Sequence, residues 1–191
     1  MTTEDSAKER ILLAAEELFA ESGFDATPTS RIAERAGVPK GLVHYYFRRK
    51  PDLLSALIVR LPDQRIEPAQ VVVPGDIAGS LLKLVAELDR RLDASRVLSH
   101  LLWREADTHS DVRNALHDRF QSLVRQVRSV IVAAAGGRLE RADVDSASGL
   151  LARAVSYRHS VARHADDDPP GEMQRELAFV AAALTSRAAP A

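Results

Sequence analysis

Gly37 stands between two short amphipathic runs, and few points in the chain restrict the fold so closely. In the run before it, Ile32, Ala33 and Ala36 share one face of a helix; Thr27 can cap that helix, and Pro28 suits its first turn, where no backbone N–H is needed. A second helix is predicted from Pro39 or Lys40 to about Phe47, with Val43, Tyr46 and Phe47 on one side at 100° per residue. A glycine at the joint supplies backbone with φ > 0, Ala33 allows close approach, and Val38 plugs the turn. The chain is thereby bent into a tight corner of two helices.

The outer face of the second helix has a different chemistry. Gly41, His44 and Tyr45 point away from the apolar side, Leu42 lies on the flank, and Lys40 leads. A groove-reading helix needs such a face. Glycine lets the backbone come close, lysine reaches a base edge or a phosphate, and His44 and Tyr45 can donate hydrogen bonds or touch a thymine methyl. An ordinary structural corner is the alternative. Charge separates the two readings. From Arg31 to Lys50 there are six bases against one acid, whereas the first thirty residues hold two bases against seven acids. Basic charge is focused on this segment in a chain whose net charge is only −1, as local contact with a polyanion requires.

Residues 10 to 54, through RILLAAEELFAESGFDAT, RIAERAGVPKGLVHYYF and KPDLL, resemble the DNA-binding domain of the TetR family of bacterial transcriptional regulators. The resemblance covers about a quarter of the chain. It implies an all-α fold: an N-terminal three-helix helix-turn-helix DNA-binding domain followed by a larger helical ligand-binding and dimerisation domain. It also implies a regulator, most simply a repressor released from a palindromic double-stranded operator by a small-molecule effector, with no enzymatic activity and no cofactor. On this resemblance Lys40, Gly41, Leu42, His44 and Tyr45 face the major groove. Thr29, Tyr46 and Lys50, with Ser30, Arg48 and Arg49, hold the DNA backbone. Three positions depart from the family pattern. Leu42 stands where many members carry threonine, His44 where many carry tyrosine, and Arg49 where a small capping residue is common.

The remaining sequence is read in order. A first helix is expected from about Ser6, with Ser6 and Glu9 as a capping box, to Ser22, stopped by Gly23. Ile11, Ala14, Ala15, Leu18 and Phe19 form its apolar face, and Phe24 closes it. A fourth helix runs from Lys50 to Pro62. Residues 62–75 hold three prolines and a glycine and read as an extended linker, which divides a DNA-binding domain (1–61) from an effector and dimerisation domain (76–191). Helices are expected over about 76–93, 95–108, 111–135, 143–165 and 171–187. With 191 residues, 46% of them hydrophobic, the chain is long enough for packed cores. The absence of cysteine excludes disulfides and thiolate metal sites. Acids stand where a signal peptide would carry bases, and no apolar run approaches a membrane span, so a cytoplasmic chain without membrane contact is expected.

The second domain is less informative. His100, Trp103, Phe120 and Tyr157 are candidates for an apolar effector pocket, or else belong to the core and its edge. Apolar stripes run through Leu150, Leu151, Ala154, Val155 and Val161, and through Leu177, Phe179, Val180, Ala181 and Leu184. The resemblance assigns these last two helices to a homodimer interface; without it, they could equally close the monomer's own core. His159 and His164 miss the i,i+4 spacing of a helical metal pair, and no metal site is expected. Ser80 and Lys83 match S-x-x-K without its companion motifs and read as neighbours one turn apart.

Overall fold

The computed structural model describes residues 3–92, 96–136, 139–160 and 173–186. They form ten helices: α1 (Thr3–Ser22), α2 (Thr29–Ala36), α3 (Lys40–Tyr46), α4 (Lys50–Val59), α5 (Pro68–Val71), α6 (Ile77–Leu92), α7 (Arg96–Glu105), α8 (Ser110–Ala134), α9 (Arg141–Ser160) and α10 (Met173–Ser186). Among the described residues the only β pairing is an isolated bridge between Val73 and Asp76, and no helix is long and apolar enough to cross a membrane. The fold is all-α. The acidic-proline stretch 165–171, Val161, His164 and the Ala-rich end lie outside the described residues.

The chain divides into two compact units. The first holds residues 1–61 and 95–116, the second 62–94 and 117–191, so α8 contributes to both.

In the first unit, Ile11, Ala14, Ala15, Leu18 and Phe19 of α1 are buried together with Ile32, Ala33 and Ala36 of α2 and Val43 of α3. Leu53, Leu54 and Leu57 of α4 and Leu98, Leu101 and Leu102 of α7 complete this core. Each fully buried leucine or phenylalanine contributes about 1.5–3 kcal/mol. Two expected caps are not made. Helix α1 begins at Thr3, so Ser6 and Glu9 lie inside it. Thr27 is fully buried, and its hydroxyl donates to the carbonyls of Gly23 (2.7 Å) and Leu18 (3.2 Å) instead of capping α2. Pro28 occupies the N-cap position of α2.

In the second unit, Leu81, Leu84 and Leu88 of α6 pack with Val127, Val130 and Ile131 of α8, Leu151 and Val155 of α9, and Leu177, Val180 and Leu184 of α10. The expected linker is not simply extended. Pro68–Val71 makes one helical turn, and both Ile66 and Val71 enter the core. Long polar side chains hold the preceding segment. Arg119 donates to the Pro62 carbonyl (2.8 Å), Arg91 donates to the Arg65 carbonyl, and the Ile66 N–H donates to Gln126 Oε1 (2.7 Å). These bonds satisfy backbone groups that have no ladder of their own. Ser80 is buried, donating to the Asp76 carbonyl (2.6 Å) and accepting the Val73 N–H (2.8 Å). It is a structural tie.

Asp89 on α6 meets two side chains of α9, with Arg158 at 2.9 Å and His159 Nε2 at 3.0 Å. Burial raises the carboxyl pKa, but the hydrogen bond from His159 and the Arg158 charge outweigh it and hold it below the ordinary 3.8. A folded-state pKa below the unfolded one gives stability that is present above pH 3.8 and lost as pH falls through the folded value. Asp89→Asn is therefore expected to cost about 1–3 kcal/mol at neutral pH. Denaturant titrations should show the gap between variant and parent closing below pH 3.8; an equal midpoint at neutral pH would contradict the pair's contribution.

Candidate nucleic-acid interface

The corner has the backbone its sequence requires. Gly37 ends α2 at φ 63° and ψ 42°, and its N–H and that of Val38 donate to the carbonyls of Glu34 (3.1 Å) and Ala33 (3.0 Å). A Cβ on Gly37 would meet nothing within 4 Å. The demand for glycine is conformational, arising from the left-handed backbone.

Beyond the corner, Val43 and Phe47 turn inward and are buried, and Tyr46 packs half-buried beside them. Lys40, Gly41, His44 and Tyr45 are exposed on the other side, Tyr45 at 72%, with Leu42 half-buried on the flank. The Tyr45 ring stands edge-on to Tyr46 at 5.1 Å. Ser30 is exposed in the first turn of α2, and Thr29 beside it is half-buried. The structure brings the expected α3 residues onto one solvent-facing surface.

The charge count of the sequence overstates what is free on that surface. Arg35 is committed to Glu17 (2.9 Å) and Glu21 (3.4 Å), pinning α2 to α1. Arg49 pairs with Asp52 at 3.3 Å, and Asp52 also accepts the Arg49 N–H at 2.9 Å. Asp52 thereby supplies the cap that Arg49's own side chain cannot. Exposed Lys40 and Arg48 have no carboxylate partner among the described residues.

Lys50 is half-buried. Its ammonium donates to the Asp25 carbonyl (3.1 Å) and lies 4.4 Å from the centroid of the Phe24 ring. Burial pushes its pKa down, while the carboxylates of Asp25 and Glu105 oppose the fall. An ammonium has three donors, so two remain for a phosphate. The sequence gives little sign of these surroundings. Phe24 reads there only as a hydrophobic closure, and Glu105 carries no local signal.

The pocket candidates fall in both units. Trp103, in the first unit, is 45% exposed, and Tyr157, in the second, is 60% exposed. Phe120 is half-buried against the second core, with the Arg153 guanidinium 5.8 Å from its ring. The His100 side chain lies outside the described residues. Exposed Trp103 and Tyr157 do not suit the lining of an enclosed apolar pocket. An open groove of about 630 Å³ in the second unit is lined largely by charge, from Lys83, Glu87, Arg90 and Arg91.

A tight two-helix corner braced by a third helix, with a polar exposed second helix, defines a helix-turn-helix DNA-binding domain. Residues 11–57 match the family model for bacterial regulatory proteins of the tetR family. The fatty acid metabolism regulator protein of Bacillus subtilis is 40% identical over 58 residues, 30% of each chain. The HTH-type transcriptional repressor BepR of Brucella suis is 38% identical over 61 residues, 31% of this chain and 29% of its own. The chain thus matches less than a third of the length of these two relatives. Native NalD, the secondary repressor of the MexAB-OprM multidrug efflux pump in Pseudomonas aeruginosa, has a similar fold across 94% of this chain and 96% of its own, at a TM-score of 0.66 and 23% identity. By its N-terminal segment, residues 11–57, the chain is similar to bacterial regulatory proteins of the tetR family, and its fold is similar to that of NalD.

Gly41 sharpens the assignment. It lies inside α3, its φ is not positive, and a Cβ there would meet nothing within 4 Å. Nothing in the protein's own packing asks for glycine, which costs about 0.5–1 kcal/mol relative to alanine inside a helix. Gly41→Ala is expected to raise stability by that amount in thermal melts while weakening DNA binding at least severalfold in titrations. Unchanged DNA affinity would show that the backbone does not approach a ligand at this point.

Proposed function

We propose that the chain is a sequence-specific transcriptional regulator, a homodimeric repressor that leaves a palindromic operator when a small molecule binds. The observation that carries this reading is the division of α3, with Val43 and Phe47 buried and Lys40, Gly41, His44 and Tyr45 exposed. In this reading Lys40, Gly41, Leu42, His44 and Tyr45 meet base edges, and Thr29, Ser30, Tyr46 and Lys50 meet the phosphate backbone. Phosphate contacts set the register and base contacts the sequence. The names of BepR and NalD, both repressors, support the sign of regulation.

Dimerisation is supported by the outer faces of the last two helices. Leu150, Ala154 and Tyr157 of α9 are exposed, and so are Ala178, Phe179, Ala182 and Ala183 of α10, with Phe179 at 75%. Two large apolar groups set among small residues let helices of a second copy approach closely. A dimer gives two recognition helices about one turn of DNA apart, matching a two-fold symmetric site. Relief by a ligand then requires only that the ligand prefer a dimer whose helices are wrongly spaced. A coupling of about 1–3 kcal/mol corresponds to roughly 5- to 150-fold weaker binding.

The test is binding to the DNA upstream of the protein's own gene, footprinted at about 150 mM salt with competitor DNA, since low salt favours non-specific attraction. A protected palindrome supports the reading. If that DNA and a genome-wide selection of bound fragments both yield no preferred site, the reading fails. The double variant Leu150→Glu, Phe179→Glu is expected to sediment as a folded monomer and to lose at least tenfold in operator affinity. A dimer that survives both changes would place the interface elsewhere.

A further inference from the structure

Lys50 is held from a distance. The Phe24 ring beneath its ammonium lies in the turn between α1 and α2 and is braced on two sides. The Phe19 ring meets it at 5.1 Å, and the His109 imidazole stands edge-on to it at 4.5 Å and 80°. The Phe24 N–H donates to Glu105 Oε1 at 3.4 Å, across 81 positions of sequence. Glu105 is 7% exposed, and its carboxylate also meets Arg104 Nε (3.4 Å) and His109 Nδ1 (3.7 Å). Arg104 in turn donates to the Phe19 carbonyl, beside the same turn. His109 Nδ1 lies 2.9 Å from Thr108 Oγ1 and 3.2 Å from the Glu105 carbonyl, which fixes the plane of the ring.

As a device for stability alone this arrangement is poor. Burying a carboxylate costs several kcal/mol, and apolar residues of similar volume are often as stable or more so. What the buried acid and the imidazole do achieve is to fix the turn that carries Phe24 and the Asp25 carbonyl, the two groups that touch the Lys50 ammonium. Because Lys50 is a flexible point charge, its direction depends on them.

We propose that Glu105 and His109 are positioning residues for DNA binding, holding Phe24 so that the Lys50 ammonium is aimed at a phosphate. The inference rests on the DNA-binding reading above and adds to it two residues far from α3. It makes the α7–α8 corner part of the DNA-binding machinery without any contact to DNA.

The test is a double-mutant cycle on the full-length protein, using a duplex recovered by selection from random sequence and measured over a range of salt. One phosphate contact contributes about −0.9 to the slope of log affinity against log salt. His109→Ala, and His109→Gln should the alanine variant be unstable, are expected to flatten the slope by about one contact, as Lys50→Ala does. Combining either with Lys50→Ala should add no further loss, and His109→Phe, which keeps a ring edge on Phe24, should restore the parental slope. A parental slope in His109→Ala or His109→Gln, a flattened slope in folded His109→Phe, or losses that add in the double variant, would overturn the inference. So would a parental slope in Lys50→Ala on a duplex that the protein does select. Failure to select any duplex overturns the DNA-binding reading first, and this inference with it.

Discussion

The left-handed backbone at Gly37 sets the direction in which α3 leaves α2, and the side chains on both faces of α3 depend on that angle. With the corner made, Val43 and Phe47 join the core formed by Leu18 and Phe19 of α1 and Ile32 of α2. Their burial fixes the rotation of α3 about its own axis. The exposure of Lys40, Gly41, His44 and Tyr45 is then a consequence of helical geometry and needs no contacts of its own. A surface built in this way is rigid, and its outer residues are free to vary without loss of the fold. In the proposed function, Leu42 and His44 set the chemistry offered to DNA while leaving the scaffold alone.

Electrostatics has a smaller part than the local surplus of basic residues suggests. Arg35 serves to pin α2 on α1 through Glu17 and Glu21, and Arg49 is paired with Asp52. Lys50 is partly withdrawn onto Phe24. Exposed pairs of this kind contribute at most about 1 kcal/mol to stability, but they reduce the positive charge on offer to phosphate. A DNA-facing surface on which Arg35, Arg49 and Lys50 are already engaged depends more on base contacts and less on counterion release. That suits a reader of sequence better than a coater of DNA.

Much of the first unit was legible in the sequence because its signals are local. Gly37, the apolar periodicity of α1 and α2, and the split of α3 all follow from spacing within a few residues. The failures share a cause, since each depends on a partner outside the short run being read. Thr27 has the chemistry of a cap, yet its hydroxyl finds the carbonyls of Gly23 and Leu18. The segment 62–71 looks like a linker because its bonding partners, Arg91, Arg119 and Gln126, are remote. Leu98, Leu101 and Leu102 show helical periodicity, but periodicity does not say which core a helix joins; they pack in the first. Trp103 and Tyr157, candidates for a pocket or for the core and its edge, both stand largely exposed. Glu105 reads as one more surface acid, and only its burial beside Phe24 marks it out.

The central claim, that the outer face of α3 reads bases, is tested most directly by changing that face and asking whether the preferred sequence changes. The parent and a Leu42→Thr, His44→Tyr variant would each be put through selection from random duplexes under identical salt. Both substitutions lie at positions that are wholly or partly exposed on α3, so the fold should be kept. The account predicts a changed base preference at one symmetric pair of positions, with the half-site spacing unaltered. Recovery of the same sequence by both proteins, with a difference only in overall affinity, would contradict it.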